Sequence, residues 1–256
     1  MARDLDTALR ELFSALPECE EILSHGSPNF KVRGKGFASY VTNHHGDGRL
    51  ALWLAAPAGA QELYTEMEPE HYFVPPYVGP RGWLGVMLNT GLNWNTVCAR
   101  VHEAYLNTAP AALVRKAPAA PEVRPPERMP TAADINPFLR PKVNKVLKKL
   151  GTLCERLPET GPAEQFGNPV WKAGKKTFVS THYHTGRLHL SFWVGPERQA
   201  TLTYDSRYLI PQYTGHNGWI DLDIEDGVDW EEVERLLMGS YRHFALKRML
   251  AALESR

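Results

Sequence analysis

The sequence predicts an α+β protein built as two tandem copies of one helix–antiparallel sheet–helix, two-layer domain. The first observation is an internal repeat: residues 72–83 recur as residues 208–219, with Tyr, Pro, Tyr, Gly, Gly and Trp at the same spacing. A match of this length among rigid Pro, conformationally flexible Gly and bulky aromatic residues indicates that the same backbone path occurs twice in the chain. The second observation is that amphipathic helices and strand-like runs surround both segments in the same order.

The repeat extends over nearly the whole chain. Upstream of the repeated segment, residues 26–37 correspond to residues 167–178, and the copies of the next hairpin differ in length by three residues. Since 256 residues accommodate two domains of ordinary size, the repeat favours two domains over one. We therefore predict a first domain over residues 1–109, a Pro/Ala-rich linker over residues 110–133 and a second domain over residues 134–256.

The first copy begins with a predicted helix and an antiparallel hairpin. Apolar residues at helical spacing over residues 3–16 predict one buried stripe, and Pro17 ends the helix. Residues 31–42 and 49–55 flank a loop rich in Gly, Asn and His, and leucines alternate along the second of these runs. This period is typical of a strand with one face in the core.

The rest of the first copy completes the order helix, strands, helix. Residues 58–70 predict a helix or turn, and residues 83–88 predict a further strand. Asn93 is a favourable N-cap for a last helix that ends near Tyr105.

The linker and the second copy follow. Six prolines within residues 110–133 indicate an extended segment that cannot form a core. The second copy opens with a helix near Pro141, and its closing helix starts at Asp229, has Glu232 at the capping-box position and runs towards Leu253.

Composition limits the function. Lys and Arg (29) balance Asp and Glu (29), so the chain lacks the long-range positive field of a dedicated nucleic-acid binder. Three separated cysteines without a Cys-x-x-Cys pair indicate a reducing compartment, and we expect Cys98 and Cys154 to be buried thiols. The N-terminus lacks a signal-peptide core, and no run approaches the ~18 apolar residues of a membrane span. We expect a cytoplasmic monomer without a membrane partner or cofactor, in which the two copies form a pseudo-dimer.

Several short motifs resemble the MmcQ/YjbR family. Each copy has Leu-Pro after its first helix, then Gly-x-Pro followed by an aromatic residue and Lys, then Lys-x-Phe, and the second copy ends its last helix with Ser240-Tyr241. Each copy is similar to one whole family member, so the chain resembles a tandem fusion. The first copy departs from the pattern with Ala104-Tyr105 and a longer hairpin.

The resemblance implies a small α+β unit similar to the CyaY (frataxin) arrangement, with helices on one face of an antiparallel sheet. The family is labelled DNA-binding because this shape resembles a double-wing motif, which is an analogy of fold. No catalytic residues are carried over from the family. The resemblance therefore implies DNA as a partner without naming a site.

Basic residues of the second copy supply the first candidate site. They could neutralise backbone phosphates, with an arginine at a hairpin tip acting as a wing. These residues are Lys142, Lys145, Lys148, Lys149, Lys172, Lys175, Lys176 and Arg187. The alternative interpretation is an ordinary solvated helix face, and an acidic cluster within residues 221–234 of the same copy counts against nucleic-acid binding.

Three histidines supply a second candidate. If Thr185 and Gly186 form a two-residue turn, His182 lies opposite His189, and His184 lies on the same face. Three imidazoles at this position could hold Zn or another transition metal. The alternative is a set of exposed polar residues on a half-solvated sheet.

The repeated aromatic residues supply a third candidate, a small-molecule or protein-interaction site in the cleft between the copies. The alternative is that they are core and turn residues. They are Tyr72, Tyr77, Trp83, Tyr208, Tyr213 and Trp219. The chain contains no Gly-x-Ser-x-Gly, phosphate-binding Gly-rich loop or His-Glu-x-x-His motif, so we expect a binding protein that is not an enzyme.

Overall fold

The computed structural model describes residues 3–24 and 26–255 as two compact units, residues 1–136 and 137–256. Each unit contains one six-stranded antiparallel sheet with helices on one face, which confirms the predicted α+β fold and its duplication. We call the opposite sheet face of each unit its open face. Within the described residues, no helix combines the length and apolar character needed to cross a membrane.

The first unit contains the sheet order β1-β2-β3-β4-β6-β5. Its elements are α1 (Leu5–Ser14), β1 (Cys19–Ser24), β2 (Ser27–Val32), β3 (Lys35–Thr42), β4 (Leu50–Leu54), α2 (Ala60–Met67), β5 (Tyr72–Phe73), β6 (Leu84–Met87), α3 (Trp94–Thr108), α4 (Ala111–Val114) and α5 (Ala132–Ile135). Side chains of α1 and α3 form one core with the strands. Asp4 and Asn93 cap these two helices, since each side chain accepts a hydrogen bond from the first turn.

The second unit repeats this order as β11-β12-β10-β9-β8-β7. Its elements are α6 (Pro141–Glu155), β7 (Thr160–Gln165), β8 (Asn168–Ala173), β9 (Lys176–His184), β10 (Arg187–Trp193), α7 (Pro196–Leu202), β11 (Tyr208–Leu209), β12 (Trp219–Asp223), α8 (Trp230–Phe244) and α9 (Lys247–Glu254). Asp229 caps α8 as predicted. The closing helix is broken at Ala245, however, so the single helix predicted to run towards Leu253 is two helices.

A bulge occurs at the same place in both sheets. Pairing between β2 and β3 shifts after Phe30, so that Phe37 is an extra residue, and the matching shift between β8 and β9 makes Phe178 extra. A bulge lets two consecutive residues face the same side. Phe37 and the next residue, and Phe178 and the next residue, therefore all enter the core.

The Tyr/Pro/Gly segments are held in the same way in both units. The Gln61 side chain donates hydrogen bonds to the carbonyl oxygens of Gly79 (2.8 Å) and Trp83 (2.5 Å), and Gln199 makes the equivalent bonds in the second unit. The Val74 side chain packs against Gly79 so closely that a Cβ atom there would collide with it. Packing thus requires glycine at position 79 and, because of the Ile210 side chain, at the matching Gly215.

The proline-rich segment differs from the predicted linker. Residues 110–136, here called the strap, belong to the first unit, and the boundary between units falls after Asn136 instead of at residue 133. Strap residues Leu113, Val123 and Ile135 are buried in the core of the first unit. The Trp94 indole donates to the Val123 carbonyl at 3.0 Å, which fixes the part of the strap that lies between α4 and α5.

Candidate nucleic-acid interface and open faces

Four lysines form the outer surface of α6. Lys142, Lys145, Lys148 and Lys149 are exposed, whereas Val143 on the other side of the helix is buried. Helical geometry points Lys145 and Lys148 most directly away from the core. In the part of the chain that the structure describes, no carboxylate lies within ion-pair distance of either of these two side chains.

The other two α6 lysines contact neighbouring groups. The Lys142 ammonium donates to the Glu225 carbonyl at 2.8 Å and lies 3.9 Å from the carboxylate of the same residue. The Lys149 ammonium lies 4.4 Å from the centre of the Trp230 ring, a cation–π contact. These contacts hold both ends of the row against the domain.

The remaining three lysines are divided between two places. Lys175 and Lys176 are exposed at the turn between β8 and β9, which a hydrogen bond from the Gly174 N–H to the Glu159 carbonyl (2.9 Å) ties to the chain just after α6. Lys172 lies between two residues of the helix-side core and therefore projects to the open face. The seven lysines thus do not form one surface.

Arg187 begins β10 next to the predicted two-residue turn. Its guanidinium pairs with the carboxylates of Asp223 and Asp226. The hydrogen bonds to these two residues raise the pKa of Arg187 above the usual arginine range. The charge is therefore neutralised locally instead of being presented as a free wing.

Much of the acidic cluster of the second unit is also neutralised within the domain. Asp223 pairs with Arg187, Glu232 pairs with Arg207 and accepts a hydrogen bond from the Tyr208 hydroxyl (2.6 Å), and Asp229 caps α8. The two ion pairs and the tyrosine hydrogen bond were not predicted from the sequence.

Charge is unevenly divided between the two units. Residues 137–256 contain 17 Lys and Arg against 14 Asp and Glu, a net charge of +3, whereas residues 1–136 contain 12 against 15, a net charge of −3. The neutral total conceals this difference. The objection that the whole chain lacks a positive field therefore does not apply to the second unit taken alone.

The histidines meet on the open face as the turn predicted. His182 is paired with His189 across β9 and β10, and their rings stack with centroids 5.6 Å apart. The His182 Nε2 atom lies 3.1 Å from Asp221 Oδ2, and the Ser191 hydroxyl donates to Asp221 Oδ1 at 2.5 Å. The result is a polar network on the open face of the second unit.

The geometry does not support the predicted metal site. Within the described residues, no group of three or more His, Cys, Asp or Glu side chains is arranged to hold a metal ion. His189 turns its Nδ1 atom to the Arg187 carbonyl (3.0 Å), and His182 directs its two nitrogens towards Ser191 and Asp221. The imidazole nitrogens consequently do not converge on one point with His184, as tetrahedral coordination requires.

The first copy has an apolar open face at the equivalent positions. Strand register matches Val41, Ala51 and Met87 of the first unit to His182, His189 and Asp223 of the second. Val41, Ala51 and Met87 belong to a small hydrophobic cluster that includes the buried Trp53. The two copies therefore share a fold but present different chemistry on this face.

The repeated aromatic residues are divided between core and surface within the units. Tyr72 and Tyr208 are buried in the two cores, and Trp83 packs beside the open-face cluster of the first unit. Tyr77 and Tyr213, by contrast, are 70% and 80% exposed. Two surface clefts of the first unit lie along the strap, and none of the six aromatic side chains lines either of them.

The cysteines are free thiols. Cys98 and Cys154 are buried as predicted, and burial raises the pKa of both above the usual thiol range. Burial also raises the pKa of Cys19 to about 12. None has the low pKa of a reactive thiolate.

A comparison with family models agrees with the duplication. A family model described as YjbR matches residues 14–107 and 155–243, which together exceed half of the chain. A similar solved structure is the crystal structure of a Deinococcus radiodurans protein with the domain DUF419, at 23% identity and a TM-score of 0.33, covering 37% of this chain and 75% of that one. No curated protein matches the chain.

Proposed function

Since the chain belongs to the YjbR family, we propose that it is a non-enzymatic binding protein that holds DNA through its backbone phosphates. The binding surface is the outer face of α6, extended by the turn that carries Lys175 and Lys176. One observation carries the proposal: Lys145 and Lys148 project from a unit of net positive charge and have no acidic partner among the described residues.

The arrangement fits phosphate contact better than base reading. Lysine is a compact point charge on a flexible stem, and it neutralises phosphates without selecting a sequence. Neighbouring α6 lysines lie along a helix that rises about 1.5 Å per residue, so the row spans about 10 Å from Lys142 to Lys149. This length suits a few successive phosphates of one strand.

The first copy supplies an internal contrast. The residues of the first copy that match Lys145 and Lys148 are Asp4 and Thr7, and the Asp4 carboxylate caps the N-terminus of α1. A phosphate-binding row is therefore absent from α1. We place the contact on the second copy alone.

Charge reversal tests the proposal. The double variant Lys145→Glu, Lys148→Glu should lower the affinity for a short DNA duplex at low salt by at least about fivefold, measured by fluorescence anisotropy. The matched control is Arg198→Glu, which changes an exposed charge on α7 of the same unit and should have little effect. Equal loss in the control, or unchanged affinity in the double variant, would contradict the proposal.

A second function, binding of a protein or small molecule through the exposed loops, is supported by their repeated surface. Val74 and Ile210 are 55% and 56% exposed beside Tyr77 and Tyr213, although the loops beneath them are tightly held. The double variant Tyr77→Ala, Tyr213→Ala separates the two functions. If the loops bind a protein or small molecule, this variant should leave duplex binding unchanged. Loss of duplex binding in it, with binding retained in the lysine variant, would place nucleic-acid recognition in the loops.

A further inference from the structure

His189 is a buried imidazole with one nitrogen left without a partner. The residue is 1% exposed, and its Nδ1 atom bonds to the Arg187 carbonyl at 3.0 Å. Its Nε2 atom has no hydrogen-bond partner among the described residues and lies 3.9 Å from Asp223 Oδ2. A neutral ring that donates from Nδ1 presents a lone pair at Nε2, so this ring directs a lone pair towards a carboxylate. A proton on Nε2 would turn that contact into an ion pair.

The Asp223 carboxylate already forms an ion pair with another cation. Asp223 pairs with Arg187 and accepts a hydrogen bond from the Glu225 N–H at 2.9 Å. Burial raises the pKa of Asp223, but these hydrogen bonds outweigh it and hold the pKa below the usual range, so the group is ionised. Asp223 is therefore shared between a permanent cation, Arg187, and a conditional one, His189. Asp226, which also pairs with Arg187, is an exposed residue.

The neighbouring charged groups leave Asp223 as the carboxylate for His189. His182 stacks on the His189 ring and has its own carboxylate, Asp221, at 3.1 Å. His184 is exposed, with its ring centroid 6.0 Å from that of His189. The Glu225 carboxylate accepts a hydrogen bond from the backbone of β10 at 3.2 Å. Edge strand β11 contributes Leu209 to this face and no titratable group.

We infer that protonation of His189 draws Asp223 away from Arg187 and frees the guanidinium at this hairpin to bind a nucleic-acid phosphate. The inference rests on the proposed function for the identity of the phosphate. The α6 lysines supply the constant part of the interface, and Arg187 supplies a part that depends on pH.

The required movement is small. Closing the gap between His189 Nε2 and Asp223 Oδ2 to hydrogen-bond distance takes about 1 Å. Arg187 then retains only the exposed carboxylate of Asp226, and exposed ion pairs in water contribute about 1 kcal/mol or less. Burial lowers the pKa of His189, so the change falls on the acidic side of the usual imidazole range.

The switch is tested without nucleic acid by nitrogen-15 NMR of the full chain. The Arg187 Nε–Hε resonance and the His189 ring should titrate with one midpoint as the pH falls from about 7.5 to about 5, within the range where circular dichroism shows a folded protein. His189→Gln places an N–H donor near Asp223 at every pH and should hold Arg187 in its acid state. His189→Ala gives this position the residue that the first copy has there, Ala51. It should keep Arg187 in the state that it has when His189 is neutral. An Arg187 signal that stays constant while His189 titrates, or that still responds in His189→Ala, overturns the inference.

Duplex binding tests the consequence separately. The ratio of affinities at about pH 5.5 and about pH 7.5 should be about two- to fivefold larger for the unmodified chain than for His189→Ala. An equal ratio in both proteins, with a normal NMR response, shows that the freed guanidinium does not bind phosphate and overturns that part. Absence of duplex binding at both pH values defeats the proposed function, whereas the NMR titration still decides the switch.

Discussion

Ser240 is a residue at which the two copies satisfy the same backbone groups differently. Its hydroxyl donates to the Phe178 carbonyl at 2.5 Å and accepts from the Trp193 N–H at 3.0 Å. In the first copy Ala104 occupies this position, and the Ala55 N–H bonds directly to the Phe37 carbonyl at 2.8 Å. The second copy thus inserts a hydroxyl between two strand ends.

Replacing Ser240 by Ala should destabilise the second domain. Two backbone groups would lose their partner, and an unsatisfied buried group costs about 1–3 kcal/mol. Urea denaturation measures the loss, and the exposed Ser206→Ala provides the matched control, expected within about 0.5 kcal/mol of the unmodified chain. A Ser240 variant as stable as this control would show that the strand ends close directly, as in the first copy.

His189 should make the second domain sensitive to acid. Because burial lowers its pKa in the folded state, the unfolded chain binds more protons below about pH 6.5, and stability is lost as pH falls through that value. Denaturation midpoints at about pH 7.5 and about pH 5.5 should therefore differ less for His189→Ala than for the unmodified chain. A pH dependence that survives the substitution would assign the effect to other groups.

The histidine cluster also shows which features of a site residue patterns can predict and which they cannot. The two-residue turn fixed the register, so His182 opposite His189 was predictable and is confirmed. The direction in which each ring nitrogen points was not predictable. It depends on acceptors such as the Arg187 carbonyl and Asp221, which strand pairing places nearby. For this reason the described residues contain no arrangement of three or more His, Cys, Asp or Glu side chains that could hold the predicted metal ion.

At the scale of elements, the strap shows where composition misleads. Prolines predict an extended chain, and the strap has no helix or strand between α4 and α5, but its buried residues Leu113, Val123 and Ile135 are not spaced with a helical or strand period. A pattern search therefore has no signal for their burial. The His102 side chain bonds to the Ala117 carbonyl at 2.8 Å and adds a second fixed point.

Removing the strap should cost the first domain most of its stability. Each buried Leu, Val or Ile contributes about 1.5–3 kcal/mol, against a typical total of about 5–15 kcal/mol for a domain. A fragment of residues 1–109 should therefore melt far below a fragment of residues 1–136, measured by circular dichroism. Equal melting temperatures would mean that the segment is a linker after all.

At the scale of the molecule, the duplication was predictable because Pro, Gly and Trp spacing survives in both copies. The difference in surface chemistry between the copies was not predictable from the repeat, since it arises from a few substitutions and from the +3 and −3 division of charge. Where that division falls depends on the unit boundary, which the structure places after Asn136. The proposed phosphate-binding residues consequently all lie in the second copy.

The salt dependence of duplex affinity tests this account most directly. Each neutralised phosphate contributes about −0.9 to the slope of log affinity against log salt, so four α6 lysines predict a slope of about −2 to −4 between about 50 and 300 mM salt. The Lys145→Glu, Lys148→Glu variant should lose about two units of that slope. A slope near zero in the unmodified chain, or an unchanged slope in the variant, would contradict the account.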